Sequence, residues 1–346
     1  WLNLRFTLAS DCSWAATGHE VAWAQFQLPL SVPEGPMLSI ASMPALDVIE
    51  VGSLATIQGD SFQLVFDKTY GIITSWLYQG MPMICRGPRL HFWRAPIDND
   101  VSYVREWKRA NLDKLQHRVD DVTLDIHKQT VQIKAAVRIA PPVFGHGFDC
   151  EYIYTVYGDG NVTIKVQGEP QGELPILPRI GLQMILPPDL TQVQWYGRGP
   201  GESYVDSKLA NRFGIYACHV DDLYFPYVYP QEHGNRTDIH WVSVTNQRGM
   251  GIFAAADNPL NFSAHRFSTE DLEKARHTDE LTWRDEVYFN LDYRQNGLGS
   301  GSCGPKVLPQ YELHPDKFCF TVRLKPYSVD SLSPVQVAKQ RLEPAR

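Results

Sequence analysis

The sequence predicts an all-β fold, a large antiparallel β-sandwich. Runs of alternating apolar residues, typical of strands, recur along the chain, and Gly and Pro are plentiful at 25 and 24 residues. No regular alternation of strands with longer helices is present, which excludes a β/α barrel. The 346 residues suffice for one large or two ordinary domains.

Composition and charge exclude several classes of function. Hydrophobic residues make up 43% and charged residues 21%, as in an ordinary soluble protein. The net charge of −7 argues against a nucleic-acid or anionic-membrane partner. No apolar run approaches the ~20 residues that span a bilayer. The six cysteines show no metal or disulfide spacing, so we expect reduced, mostly buried thiols in a cytoplasmic protein.

The first residues, WLNLRFTLAS, lack an initiator Met and a signal sequence. Leu2, Leu4 and Phe6 alternate with polar residues, which predicts a half-buried strand. A chain that opens inside a strand is expected of a piece of a longer protein, and a processed N-terminus is the alternative. We expect residues 1–44 to be the end of a β-sandwich plus a Pro-rich linker, and residues 45–346 to form the main domain.

Within the main domain, Gly-Asp-Gly-Asn at 158–161 predicts a hairpin between two alternating runs. Two short helices are expected, in REWKRANLDKLQ and in STEDLEKARHTDEL. The second begins with Ser268 and Asp271 at the spacing of a capping box.

The segment FWRAPIDND, Phe92 to Asp100, combines aromatic residues, Arg94, a Pro and Asp98-Asn99-Asp100. It is open to interpretation as a metal loop, a loop lining a site or a stiff turn. A calcium loop needs further ligands at alternate positions, which the following residues do not supply. Asp, Asn and Pro favour turns, so a turn is the preferred interpretation.

Two glycine-rich stretches lack a phosphate-binding pattern. For residues 197–204 we expect close backbone packing. Residues 296–313 predict a long loop between two strands with Cys303 in its middle, and by itself that thiol is expected to be buried and inert.

The segment YPQEHGNRTDIHW contains His233 and His240 together with several charged residues. An acid/base pair for carbohydrate chemistry is one interpretation, and structural hydrogen bonding is the other. This set comprises Glu232, His233, Arg236, Asp238 and His240, with Arg179 and Asp221 at a distance.

FWRAPIDND, YGRGPGESYVDSK, YVYPQEHGNRTDIHW and GLGSGSCGPKVLPQYEL occur in this order. Together they resemble the C-terminal region of the glycoside hydrolase family 2 β-galactosidases. The resemblance implies that residues 1–44 end an immunoglobulin-like domain. It also implies that residues 45–346 form a supersandwich similar to galactose mutarotase. The catalytic glutamates and the Mg²⁺ and Na⁺ ligands would belong to preceding domains, so no catalytic, cofactor or metal residue is assigned here.

In that family the terminal domain sends a loop to the sugar site, where one side chain is a Trp or a Cys. The resemblance places Cys303 there, with Ser302 and Gly304 on the rim. Arg94, Asp98, Asn99 and Asp100 would lie in the adjacent loop.

The expected function is therefore that of the C-terminal portion of a β-galactosidase, inactive alone. Its partners would be the N-terminal and barrel domains, a galactoside and further copies in a homo-oligomer. A separately encoded small subunit and a free-standing mutarotase or sugar-binding module are the alternatives.

Overall fold

The computed structural model describes residues 1–343. The chain opens with an antiparallel hairpin of β1 (Leu2–Thr7) and β2 (Glu20–Phe26). The strand in WLNLRFTLAS is thus present, but the expectation that it is half-buried is wrong. Leu2, Leu4 and Phe6 are 45%, 41% and 56% exposed, because no described element covers the apolar side of this hairpin.

The Pro-rich stretch contains β3 (Met37–Leu38) and a 3-10 turn at Ile40–Ser42. β3 pairs in parallel with the last strand of the chain, Arg341–Leu342. The Pro-rich stretch is therefore joined to the far end of the main domain. The division between residues 44 and 45 stays a prediction.

A five-stranded antiparallel sheet follows, in which each strand pairs with the next. Its strands are β4 (Asp47–Val51), β5 (Leu54–Gln58), β6 (Phe62–Asp67), β7 (Ile72–Tyr78) and β8 (Met81–Ile84). The side chains of β6 alternate between buried and half-buried positions. One face of this sheet therefore packs into the core.

The second sheet has 12 strands. Its members are β9 (Arg86–His91), β10 (Gln116–Ile126), β11 (Thr130–Ala140), β12 (Gly147–Tyr157), β13 (Val162–Gln171), β14 (Arg179–Leu186), β15 (Gln192–Gly199), β16 (Arg212–His219), β17 (Arg236–Thr245), β18 (Met250–His265), β19 (Val287–Gln295) and β20 (Phe318–Ser328). The short last strand is β21 (Arg341–Leu342). The main path runs β10-β11-β12-β13-β20-β18-β17-β15-β16, and β9, β14 and β19 branch from it.

The long strand β18 creates this branch. Its residues 250–256 pair with β20, whereas residues 261–265 pair with β19. Buried side chains of both sheets form one continuous core, in which the ring of Phe66 lies 5.2 Å from that of Tyr154. The predicted fold class, a large antiparallel β-sandwich, is confirmed.

Helices are short: α1 (Val104–Arg109), α2 (Thr269–Lys274) and α3 (Pro334–Lys339). The capping box of α2 is confirmed, since the Asp271 amide donates to Ser268 Oγ at 3.1 Å and the Ser268 amide donates to Asp271 Oδ2 at 2.9 Å. α1 is shorter than expected because Asn111 adopts a left-handed conformation, with φ of 50°. α3 was not predicted from the sequence. Further 3-10 turns lie at Asp98–Ser102, Leu112–Lys114, Lys208–Ala210, Val220–Leu223, Thr278–Glu280 and Pro309–Tyr311.

The Gly-Asp-Gly-Asn hairpin is also confirmed, between β12 and β13. The cysteines are free, but the expectation that they are mostly buried is wrong: Cys150 is buried and Cys218 half-buried, whereas the remaining ones are exposed. The exposed cysteines are Cys12, Cys85, Cys303 and Cys319. Among residues 1–343, no helix is long and apolar enough to cross a membrane.

Candidate functional site

The segment Phe92 to Asp100 leaves β9 and passes into the 3-10 turn at Asp98–Ser102. Arg94 and Asp100 are both fully buried, and they form a bidentate ion pair. Nη2 donates to Asp100 Oδ1 at 2.7 Å, and Nε donates to Oδ2 at 3.2 Å. Burial acts against the charge of Arg94, but the Asp100 carboxylate outweighs it and keeps the pKa of the guanidinium above its ordinary value.

The same guanidinium holds the base of the glycine-rich loop, residues 296–313, which we call the arm. Nη1 donates to the carbonyl of Asn296 at 2.9 Å, and Nη2 donates to that of Gly297 at 3.2 Å. Asn296 Oδ1 in turn accepts from the Leu313 amide at 3.0 Å, which joins the two ends of the arm. The arm therefore begins at a buried charged anchor.

Asn99 connects the turn to the tip of the arm. Its Nδ2 donates to the Gly299 carbonyl at 2.9 Å, and its Oδ1 accepts from Ser302 Oγ at 2.7 Å and from the Ser302 amide at 3.2 Å. The structure thus brings together two groups of residues that are about 200 positions apart in sequence. Asp98 is exposed, and its amide donates to Gln231 Oε1 at 3.1 Å.

Asp206, which no sequence pattern pointed to, also positions the arm. Its Oδ2 accepts from the amides of Leu298 and Gly299, both at 2.8 Å. A Cβ at Gly297 would lie 2.8 Å from the same oxygen, so a larger residue there would displace the Asp206 carboxylate. The one available signal was its position in YGRGPGESYVDSK. That this stretch contacts the arm could not be predicted from a local pattern, because Asp206 and Leu298 are 92 positions apart in sequence.

The tip of the arm is a tight turn in which Ser302, Cys303 and Gly304 are exposed. The amides of Cys303 and Gly304 both donate to the Ser300 carbonyl, at 3.0 and 2.6 Å. The expectation of a buried thiol at Cys303 is wrong, because backbone hydrogen bonds rather than apolar packing hold this turn.

A buried ionic cluster lies near the arm. Arg179 Nη2 donates to Asp292 Oδ2 at 2.9 Å and to Glu232 Oε1 at 3.0 Å. Burial, reinforced by the neighbouring Glu232, raises the pKa of Asp292 to about 6, although Arg179 acts in the opposite direction. Because Glu232 is bound to this arginine, the carboxylate is engaged in a structural ion pair.

The histidines of the same stretch do not form a common site with that carboxylate. His233 is buried, with Nδ1 2.8 Å from the Gln231 carbonyl, and burial lowers its pKa. His240 is exposed and stacks on Tyr196 with ring centroids 5.1 Å apart. The interpretation as structural histidines is therefore favoured. Within residues 1–343, no three His, Cys, Asp or Glu side chains are grouped as a metal site requires.

Two sequence families match the chain. The Beta galactosidase small chain family matches residues 58–324, and domain 4 of beta-galactosidase matches residues 1–29. Beta-galactosidase from Priestia megaterium is 32% identical over 333 residues, which are 94% of this chain and 31% of the relative. That from Kluyveromyces lactis is also 32% identical, over 90% of this chain and 31% of the relative. The chain thus spans about a third of the length of these relatives.

Two solved structures share a weak likeness. A putative aldose 1-epimerase from Escherichia coli K12 has a TM-score of 0.42 at 10% identity, over 82% of this chain and 99% of that one. Galactose 1-epimerase from Lactobacillus acidophilus NCFM has a TM-score of 0.40 at 10% identity, over 83% and 99%. The family match covers most of the chain and includes Arg94, Asn99, Asp206 and the whole arm. This chain therefore belongs to the Beta galactosidase small chain family.

Proposed function

We propose that this chain works as the C-terminal part of a β-galactosidase, and that the whole enzyme hydrolyses terminal β-galactosides with retention of configuration. The family match over residues 58–324 supports the proposal, together with the share of 31% that the chain covers in its relatives. Their names specify a β-galactosidase, and the retaining mechanism follows the resemblance of the four motifs.

Retaining hydrolysis requires catalytic residues that the rim, formed by the turn at Asp98–Ser102 and the arm, does not offer. Retaining hydrolysis uses two carboxyl groups about 5–5.5 Å apart, one as acid and base and the other as nucleophile. At the rim, Asp100 is bound to Arg94 and Asp206 to two amides of the arm. Asp98 is exposed in the same turn, but it is one carboxylate where the reaction needs two. The acid and the nucleophile would therefore come from another part of the enzyme, and the isolated chain is expected to be inactive. In the whole enzyme, Mg²⁺ and Na⁺ would bind in that other part as well.

The observation that carries the proposal is the anchored arm with Cys303 exposed at its tip. Arg94 and Asn99 fix its base and its tip, so the backbone is ordered before any sugar binds. The thiol at Cys303 would line the sugar site beside Ser302 and Gly304. A thiol offers less stacking surface than an indole, so release of glucose or transfer to an acceptor would differ from enzymes with Trp at this position.

Exposed apolar surfaces fit burial against the rest of the enzyme. One is the uncovered side of the β1–β2 hairpin. Another lies beside Asp98, where Phe225, Val228 and Tyr229 are 54%, 85% and 50% exposed. Several large apolar side chains exposed in one segment are typical of protein contact sites. The preceding immunoglobulin-like domain, the barrel and further copies in a homo-oligomer are the proposed partners, and the cytoplasm is the proposed location.

The test compares the complete gene product with the 346-residue chain on a chromogenic β-galactoside. Turnover by the complete product and background rates for the chain alone are expected. In the complete product, Cys303→Trp should change the ratio of galactosyl transfer to hydrolysis several-fold. Cys319→Ser is the matched control, since Cys319 is exposed on β20 away from the arm. Turnover by the isolated chain would overturn the proposal.

A second candidate is a separately encoded small subunit, which the family description "small chain" favours. A start codon directly before Trp1, with activity restored only on mixing with a separate catalytic chain, would establish it. An open reading frame that continues upstream through a barrel domain would exclude it.

A further inference from the structure

A polar cleft of about 380 Å³ lies beside the base of the arm. It is lined by residues after β15, on β17, β18 and β19, and on the returning end of the arm, Gln310–Leu313. The rim residues Asn99, Ser302 and Cys303 are not part of its lining. The cleft is therefore a cavity separate from the rim, and its volume is within the ~300–1,000 Å³ range of small-molecule sites.

Asp238 is a preorganised carboxylate in this cleft. The pairing of β17 with β18 is irregular around it, and Asp238 adopts a left-handed conformation with φ of 54°. Such a conformation is unfavourable for a non-glycine residue and is maintained by surrounding contacts. Arg198 Nε donates to one oxygen at 2.7 Å and Lys208 Nζ to the other at 3.0 Å. The side chain remains 23% exposed, so a ligand can reach it.

The charges of the lining indicate a neutral ligand. Among the lining residues, Lys208 and Arg294 are balanced by Asp238 and Glu312, and Arg198, which binds Asp238, lies outside the lining. The lining itself therefore has no excess charge to attract an anion or a cation. The cleft is also lined by uncharged polar side chains. Asn235 and Thr237 are buried and hydrogen-bonded to Ser203, so they support the wall. The other uncharged polar side chains of the lining are Asn261, Gln295 and Gln310.

Gln295 retains an acceptor for a ligand. Its Nε2 donates to Asn235 Oδ1 at 3.1 Å and to Asp292 Oδ2 at 2.7 Å. Its Oε1 has no hydrogen-bond partner among the described residues, although the side chain is buried. Unpaired buried acceptors are uncommon in folded proteins, and a donor such as a hydroxyl group would satisfy this one. Tyr293 and Tyr311 add aromatic surface to the wall.

We propose that this cleft binds a neutral monosaccharide. Each sugar hydroxyl both donates and accepts, and the lining supplies a carboxylate, an ammonium group and amides at short range. The tyrosines would contact the apolar edge of the ring. Because Gln310–Leu313 belong to the arm, an occupied cleft would also stabilise the base of the arm.

The test is titration of the purified chain with galactose and with glucose, followed by ligand-observed NMR and calorimetry. Saturable binding is expected, with Lys208→Ala and Asn261→Ala each weakening it at least tenfold. Lys134→Ala is the control, since Lys134 is exposed on β11, and it should bind as the native chain does. Thermal melting verifies that each variant is folded.

Galactose 6-phosphate distinguishes the ligand class, because an anion should bind more weakly than galactose in a cleft of balanced charge. The proposal would be overturned if neither sugar bound saturably, or if galactose 6-phosphate bound more tightly than galactose. It would also be overturned if Lys208→Ala and Asn261→Ala bound the sugar as tightly as the native chain does. Sugar binding that is lost in Cys303→Ser but kept in both cleft variants would overturn it too, while leaving the proposed role of the rim intact.

Discussion

Arg94 donates a hydrogen bond to the backbone carbonyl of Asn296 at 2.9 Å, across 202 positions of sequence. The donor is fully buried, and its charge is balanced by Asp100 at 2.7 Å. A turn that follows β9 and a loop that follows β19 are thereby joined by one side chain. This contact connects the core of the sandwich with the exposed turn that carries Cys303.

Arg94→Ala should destabilise the chain by about 3–5 kcal/mol, because it leaves the Asp100 carboxylate buried without its partner. Arg94→Lys should restore only part of this loss, since an ammonium group cannot make the bidentate contact. Urea unfolding measures both. Arg118→Ala, in a solvent-exposed ion pair with Asp120, is the control and should leave the midpoint unchanged. Equal midpoints for Arg94→Ala and the control would contradict the anchoring role.

Asn99→Ala should loosen the tip of the arm while lowering the global free energy of unfolding by only about 1 kcal/mol. The reason is that Asn99 bonds only Gly299 and Ser302 within the arm. Peptide-resolved thiol labelling should show faster modification of Cys303, with exposed Cys319 as the internal reference. An equal change at both cysteines would indicate global unfolding instead.

The raised pKa of Asp292 predicts a specific pH dependence of the free energy of unfolding. Its pKa is raised from 3.8 in the unfolded chain to about 6, so its contribution to stability is full below about pH 4 and is lost as the pH rises through 6. The stability of the native chain relative to Asp292→Asn should therefore fall by on the order of 2 kcal/mol between pH 4 and 7. Taking the difference cancels the titration of the histidines. A constant difference over this range would contradict the prediction.

Gly197→Ala should destabilise the chain by about 1–3 kcal/mol. A Cβ there would lie 2.4 Å from Ile239 Cδ1 and 2.9 Å from Ile239 Cα. Relieving the second contact would require a shift of the β17 backbone. Gly145→Ala is the matched control, because a Cβ at Gly145 meets nothing within 4 Å. Thermal melting distinguishes the two, and similar midpoints would contradict the close-packing interpretation of residues 197–204.

The sequence alone determined the features that depend on neighbouring residues. Alternating apolar residues specified the strands, Gly-Asp-Gly-Asn the hairpin, and Ser268 with Asp271 the start of a helix, because each of these is decided within a few residues. The order of the four motifs was specific enough to indicate the family, which the comparison over residues 58–324 confirmed.

Only the tertiary structure decided which loops meet and which side chains are buried. That Arg94 contacts Asn296, that Asp206 binds the arm, and that Cys303 is exposed follow from the path of the chain through two packed sheets. The exposure of Leu4 has the same origin, since an alternating pattern says which side of a strand is apolar but not whether anything covers it. Contacts across about 200 residues depend on how strands pair, and no local pattern encodes that pairing.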